Sequence, residues 1–106
     1  MKVLRTIFRM KYLILSSNYN FFLKDTFNMD FDYSELELPR QLVERLKRWH
    51  QEYFPIISMD ENERLNSYAN ILQLDIEGVD LAEEIKSTLR TIKIKYYSEG
   101  QLKYIE

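Results

Sequence analysis

Cysteine is absent from the 106 residues, which removes disulfides, zinc–thiolate sites and cysteine nucleophiles together. The absence is compatible with a reducing cytoplasm. Glycine and proline occur twice each, so long flexible linkers are missing and one compact domain over residues 1–106 is expected. A long hydrophobic run is missing too. In MKVLRTIFRMKYLILSS, Lys2, Arg5, Arg9 and Lys11 are scattered so that only Tyr12–Leu15 is uninterrupted. A signal peptide needs roughly 7–15 apolar residues in a row and a membrane span about 20. A soluble, cytoplasmic chain with no membrane contact is therefore expected. Met10 is an alternative start, in which case residues 1–9 form an added N-terminal arm.

Neither sign of charge dominates: 15 basic and 17 acidic residues give a net charge of −2. The distribution is uneven. Residues 60–85 hold eight acids and one base, Arg64, and residues 24–37 hold five acids and Lys24. Basic residues gather at 1–11 and 40–48. Nucleic-acid binding wants a dominant basic face, which this balance opposes, and an acidic surface for a protein partner fits it better. With 45% hydrophobic and 14% aromatic residues, the chain has the material for a folded core.

The elements follow from periodicity. KYLILSS (11–17) reads as a buried strand. From Phe21 to Tyr33 large apolar groups fall on odd positions and Asn28, Asp30 and Asp32 on even ones, a strand-like alternation with a bend expected near Asp25–Thr26. In LPRQLVERLKRWHQEYF, Leu42, Leu46, Trp49 and Tyr53 make a helical stripe, with Pro39 at its first position and Pro55 as its stop. Asp60 and Glu63 have the spacing of a capping box for a second helix, which ends near Tyr68 or continues towards Leu74. Asp75 is placed as the cap of a third, with Val79, Ala82, Ile85 and Leu89 buried. Gly78 allows that helix a close approach to a neighbour. Ile92, Ile94 and Tyr96 alternate with Lys93, Lys95 and Tyr97, and SEG (98–100) turns the chain into a last strand, Gly100 suiting positive φ. Strands and helices in separate blocks predict an α+β fold, a mainly antiparallel sheet with about three helices packed on one face.

Each candidate site has a bland explanation beside the functional one. Glu77, Asp80 and Glu84 fall on one polar helix edge, where carboxylates seldom find the pocket that acid/base chemistry requires. The acids of DIEGVDLAEE break the pattern of a calcium loop at its fourth position. No catalytic or metal site and no cofactor is expected. His50, beside the buried stripe, suits a structural histidine with one satisfied nitrogen, and otherwise a small enzyme or accessory domain using it as a base. The basic helix 40–48, with Arg5 and Arg9, offers a nucleic-acid-binding alternative through Arg40, Arg45, Lys47 and Arg48. The aromatic group Tyr19, Phe21, Phe22, Phe27, Phe31 and Tyr33 is expected to pack mostly in the core, with Tyr19 and Tyr33 exposed for a protein interface. Lys93 and Lys95 suit an anion or, more simply, edge-strand protection.

Three stretches, LPRQLVERLKRWHQEY (38–53), LDIEGVDLAEEIKSTL (74–89) and KIKYYSEG (93–100), together resemble immunity proteins of bacterial contact-dependent growth inhibition and related polymorphic toxin systems. The shared features are a leucine-rich helix carrying Trp49, an acid–Gly–x–x–Leu–Ala helix and a final hairpin. The resemblance implies a non-enzymatic cytoplasmic protein, a monomer that binds one cognate toxin domain 1:1 and neutralises it. Such toxins are frequently nucleases, whose clefts are basic because they hold a polyanion. Carboxylates then complement the cleft, speeding encounter, while a few buried anchors supply affinity. The expected partner-binding residues are Tyr19, Asp30, Asp32, Tyr33, Glu35 and Glu37 in one region, and Asp60, Glu61 and Glu63 in another.

Overall fold

The computed structural model describes residues 10–105. The chain runs β1 (Lys11–Leu15), β2 (Leu23–Asp25), a 3₁₀ turn (Tyr33–Glu35), α1 (Arg40–Ile57), α2 (Glu61–Asn66), α3 (Tyr68–Thr88), β3 (Ile92–Ser98) and β4 (Lys103–Ile105). The reading of residues 1–9 as an added arm lies outside the described residues.

The strands form one sheet in the order β2-β1-β3-β4. Both outer pairings are antiparallel, whereas the central β1–β3 pair is parallel, with Leu13 opposite Ile94 and Leu15 opposite Tyr96. A parallel pair needs a long crossover, and all three helices lie within it. The result is the expected α+β domain with a mixed sheet. β4 pairs only with Tyr96–Ser98, so among the described residues the β3 stretch that carries Lys93 and Lys95 is covered by β1 on one side and open on the other, which fits their reading as edge protection.

Alternation splits the sheet into two faces. Leu13, Leu15, Leu23, Ile92 and Tyr96 are buried in the core with Leu42, Leu46, Trp49, Tyr53 and Ile56 of α1 and Ile71, Leu74, Leu81 and Ile85 of α3. The stripe read on α1 is therefore its buried face. Trp49 is fully buried, and its indole Nε1 donates to the Leu74 carbonyl oxygen at 2.9 Å, locking α1 to α3. On the other side of the sheet stand Tyr12, Lys24, Lys93, Lys95 and Tyr104, all exposed.

Several local expectations need correcting. The alternation after Phe21 makes one short strand, with no second strand beyond the expected bend. β2 pairs over three residues only, and the chain then turns at the expected bend, where the Phe27 amide donates to Asp25 Oδ1 at 2.9 Å. Beyond that bend the chain leaves the sheet, so Phe27 and Met29 are 79% and 98% exposed, while Phe31 and Tyr33, the latter expected to be exposed, are partly buried against the core. Pro39 is the N-cap of α1 rather than its first residue, and Pro55 lies inside the last turn. A proline there ends a helix less abruptly than expected because only two residues follow it before the C-cap.

Asp75 does not cap a helix. α2 stops at Asn66, and α3 begins at Tyr68 and runs unbroken through Leu74, which places Asp75 in its interior. Gly78 earns its place by the predicted close approach: a Cβ there would sit 2.3–2.6 Å from the ring and hydroxyl of Tyr96. Gly100 does not have positive φ, and that conformation belongs to Leu102, φ 55°. What requires glycine at 100 is space, since a Cβ would meet Ile71 Cγ2 at 2.4 Å and Tyr53 Oη at 2.8 Å.

Candidate protein-binding surface

The two acidic regions expected to bind a partner flank α1 in the chain, one before Arg40 and one after Ile57. The first is the loop between β2 and α1. Asn28 Oδ1 accepts the Asp30 amide at 3.0 Å, a local turn that competes with strand pairing. Asp32 N-caps the 3₁₀ turn, its carboxylate accepting the Ser34 amide while Glu35 Oε2 accepts the Asp32 amide at 2.9 Å. Asp30, Asp32, Glu35 and Glu37 are all exposed. The β1–β2 connection folds over α1 beside this loop, stacking Tyr19 edge-on against Phe54 at 5.4 Å and Phe22 against Tyr33 at 4.9 Å. Tyr19, Asp32 and Tyr33 thus line a single groove of about 450 Å³, together with His50.

The second region opens α2. Asp60 Oδ1 accepts the Glu63 amide at 2.8 Å and Glu63 Oε1 accepts the Asp60 amide at 3.2 Å, the capping box expected from the spacing. Glu61 is left on the wall of another groove of about 540 Å³, between the α2–α3 corner and the β3–β4 turn. Arg64 holds this corner together. Its guanidinium donates to the carbonyls of Met59 at 3.0 Å and Ile57 at 3.1 Å on one side, and to those of Glu99 and Gly100 on the other. The base nearest this acidic run is therefore engaged by backbone at the end of α1.

The acids of α3 divide into two roles. Asp75, only 4% exposed, is the centre of a buried network. Its Oδ1 accepts the hydroxyls of Tyr53 at 2.9 Å and Tyr96 at 2.6 Å, and its Oδ2 accepts Ser98 Oγ at 2.7 Å and Gln101 Nε2 at 2.8 Å. The Tyr53 hydroxyl in turn accepts the Gly100 amide at 2.7 Å. One carboxylate thus ties α3 to α1, β3 and the final turn. Burial, reinforced by the neighbouring carboxylate, pushes the Tyr53 phenol up to about 12. Burial and the bond to Asp75 push Tyr96 higher still. Asp80 and Glu84, expected on a polar edge, face α1, where Arg45 donates to Glu84 at 2.7 Å and to Asp80 at 3.3 Å.

These pairings also bear on the basic helix. Arg40, itself exposed, bonds Glu44 at 3.2 Å and Arg45 is held by α3, while Lys47 and Arg48 are the exposed cations of the helix that make no ion pair among the described residues. Arg5 and Arg9 lie outside the described residues. His50 is half-buried between the rings of Phe22 and Phe54, with its Nδ1 2.8 Å from Ser17 Oγ. Burial lowers its pKa. Ser17 is 1% exposed, so its oxygen is shielded from any substrate and serves to satisfy the ring nitrogen. Among the described residues no cluster of three or more histidine, cysteine, aspartate or glutamate side chains is arranged to hold a metal, and no helix is long and apolar enough to cross a membrane.

Sequence reasoning missed the role of Asp75, although the apolar positions Ile71, Leu74 and Ala82 around it have the spacing of a helix that begins earlier. It also missed the exposed apolar trio at the second groove, Leu65, Tyr68 and Leu102.

Comparison with known proteins adds one match. The family model described as Serratia CdiI immunity protein-like matches residues 17–99. Neither the curated proteins nor the solved structures contain a match.

Proposed function

We propose that this chain, which belongs to the Serratia CdiI immunity protein-like family, binds a cognate toxin domain in the cytoplasm and neutralises it as a 1:1 stoichiometric inhibitor. The observation that carries the reading is the family match itself, since it spans the whole crossover, from the β1–β2 connection to the end of β3. The toxin is a basic nuclease in this reading. Exposed carboxylates stand in the chain before and after α1, at Asp30, Asp32, Glu35 and Glu37 and at Asp60, Glu61 and Glu63. Such charges complement a cleft built for a polyanion and raise the rate of encounter more than the final affinity.

Inhibition requires no chemistry by the immunity protein. Occupying the cleft excludes the nucleic-acid substrate. Aromatic groups at the rim, Tyr19 and Tyr33, supply large contact area at low entropic cost. His50 and Ser17 are structural in this account.

The test is co-expression with the gene product encoded immediately upstream, followed by pull-down of the complex. Rescue of growth together with recovery of both chains supports the reading. Loss of viability with no complex recovered removes it.

A further inference from the structure

The groove at the α2–α3 corner has features that stability alone does not explain. Leu65, Tyr68 and Leu102 line it while remaining 65%, 51% and 61% exposed. Single exposed apolar side chains are ordinary, but several around one concavity with a polar rim mark an interaction surface. Leu102 adds an independent sign. Among the described residues it is the one non-glycine residue with positive φ, at 55°. An L-residue is disfavoured there because its Cβ crowds the following carbonyl, a conflict that glycine avoids. A leucine kept in that conformation, with its side chain in solvent, is placed for contact rather than for folding.

The walls of the groove are held before any partner arrives. Arg64 bridges the end of α1 to Glu99 and Gly100 of the β3–β4 turn, so the leucine-bearing turn is fixed against α2. Preorganised anchors bind more tightly because less freedom is lost on association. The acids of the first α2 turn favour a basic occupant. Glu61 lines the groove, Asp60 and Glu63 flank it in the same α2 turn, Arg64 is engaged by carbonyls, and Lys103 is the remaining cation of the lining.

We propose that this groove is the docking site for the cognate toxin domain, with Leu65, Tyr68 and Leu102 as its apolar anchors. The acids of the first α2 turn steer a basic surface of the toxin onto them. The inference rests on the toxin-neutralising function proposed above and narrows it to the α2–α3 corner.

Titration calorimetry with the purified toxin domain tests it. Leu65→Ala, Tyr68→Ala and Leu102→Gly are each expected to weaken binding about tenfold. Leu102→Gly is the sharpest of the three, because relief of the backbone conflict keeps or raises the melting temperature while affinity falls. Glu61→Gln slows association at low salt, and the effect fades as salt is added. The groove is overturned if the three variants bind within about twofold of wild type. It is equally overturned if Met29→Ala or Asp30→Asn causes the tenfold loss instead, which leaves toxin binding standing and moves the site to the loop between β2 and α1. If the wild-type chain binds no toxin, both this site and the proposed function fall.

Discussion

Replacing Asp75 with alanine is the perturbation that asks most of this fold. The carboxylate is 4% exposed and accepts hydrogen bonds from Tyr53, Tyr96, Ser98 and Gln101. A bond to a charged acceptor contributes about 1.5–3 kcal/mol, so these groups together account for roughly 6–12 kcal/mol gross. A buried carboxylate carries a desolvation penalty of several kcal/mol, and its removal offsets about half of that loss. Tyr53 keeps part of its bonding, because its hydroxyl still accepts the Gly100 amide. The net cost is about 3–5 kcal/mol, a large share of the roughly 5–15 kcal/mol typical of a domain. In urea, with a slope of about 1–3 kcal/mol/M, the midpoint should fall by about 2 M. Asp75→Asn should cost less, about 1–2 kcal/mol, because its carbonyl keeps the tyrosines while its amino group faces the Gln101 donor. An Asp75→Ala protein within about 1 kcal/mol of wild type would refute the assignment of this network as the tie between α3 and the final hairpin.

Three further outcomes follow from the same contacts. Tyr53 and Tyr96 have folded-state pKa values above the ordinary tyrosine value of 10, so their contributions are complete below pH 10 and decline above it, that of Tyr53 being lost as pH rises through about 12 and that of Tyr96 at higher pH. Circular dichroism across that window should show the loss, and Tyr96→Phe should flatten it. Gly78→Ala gains about 1 kcal/mol of helix propensity but drives a methyl into Tyr96, and a net loss of about 1–3 kcal/mol is expected in denaturant melts. His50 has a lowered pKa, so its neutral form stabilises the fold above the ordinary histidine value of 6.5, and this is lost as pH falls below it. His50→Gln should reduce that dependence while toxin neutralisation is retained, and loss of neutralisation in a folded His50→Gln protein would count against a purely structural histidine.

Much of the fold was legible because it rests on strong periodicity. The stripe Leu42, Leu46, Trp49 and Tyr53 is buried as read, and the alternation Ile92, Ile94 and Tyr96 lies on β3. The errors share a cause. Alternation from Phe27 to Tyr33 looked like a strand, yet periodicity carries no information on whether a neighbouring strand exists to pair with, and only Phe31 and Tyr33 of the stretch reach the core. Asp75 looked like a cap because an acid before an apolar run usually is one. Only the packing of Tyr53, Tyr96 and Ser98 around it shows a buried acceptor, and those residues lie 22, 21 and 23 positions away. The acidic runs were legible as charge, but their division into capping boxes, an ion pair with Arg45 and free carboxylates depends on tertiary geometry. Leu102 was unreadable for the same reason, since its backbone conformation is set by the turn that Arg64 and Gly100 pack against α2 and α3.

The central claim is stoichiometric neutralisation, and an activity titration tests it most directly. Increasing amounts of this chain are added to a fixed amount of the toxin domain, and residual toxin activity is measured after equilibration. The account predicts a linear fall that reaches zero at one equivalent. Undiminished activity at excess inhibitor would contradict it, and so would complete inactivation at a small fraction of an equivalent, which is the behaviour of an enzyme rather than a binding protein.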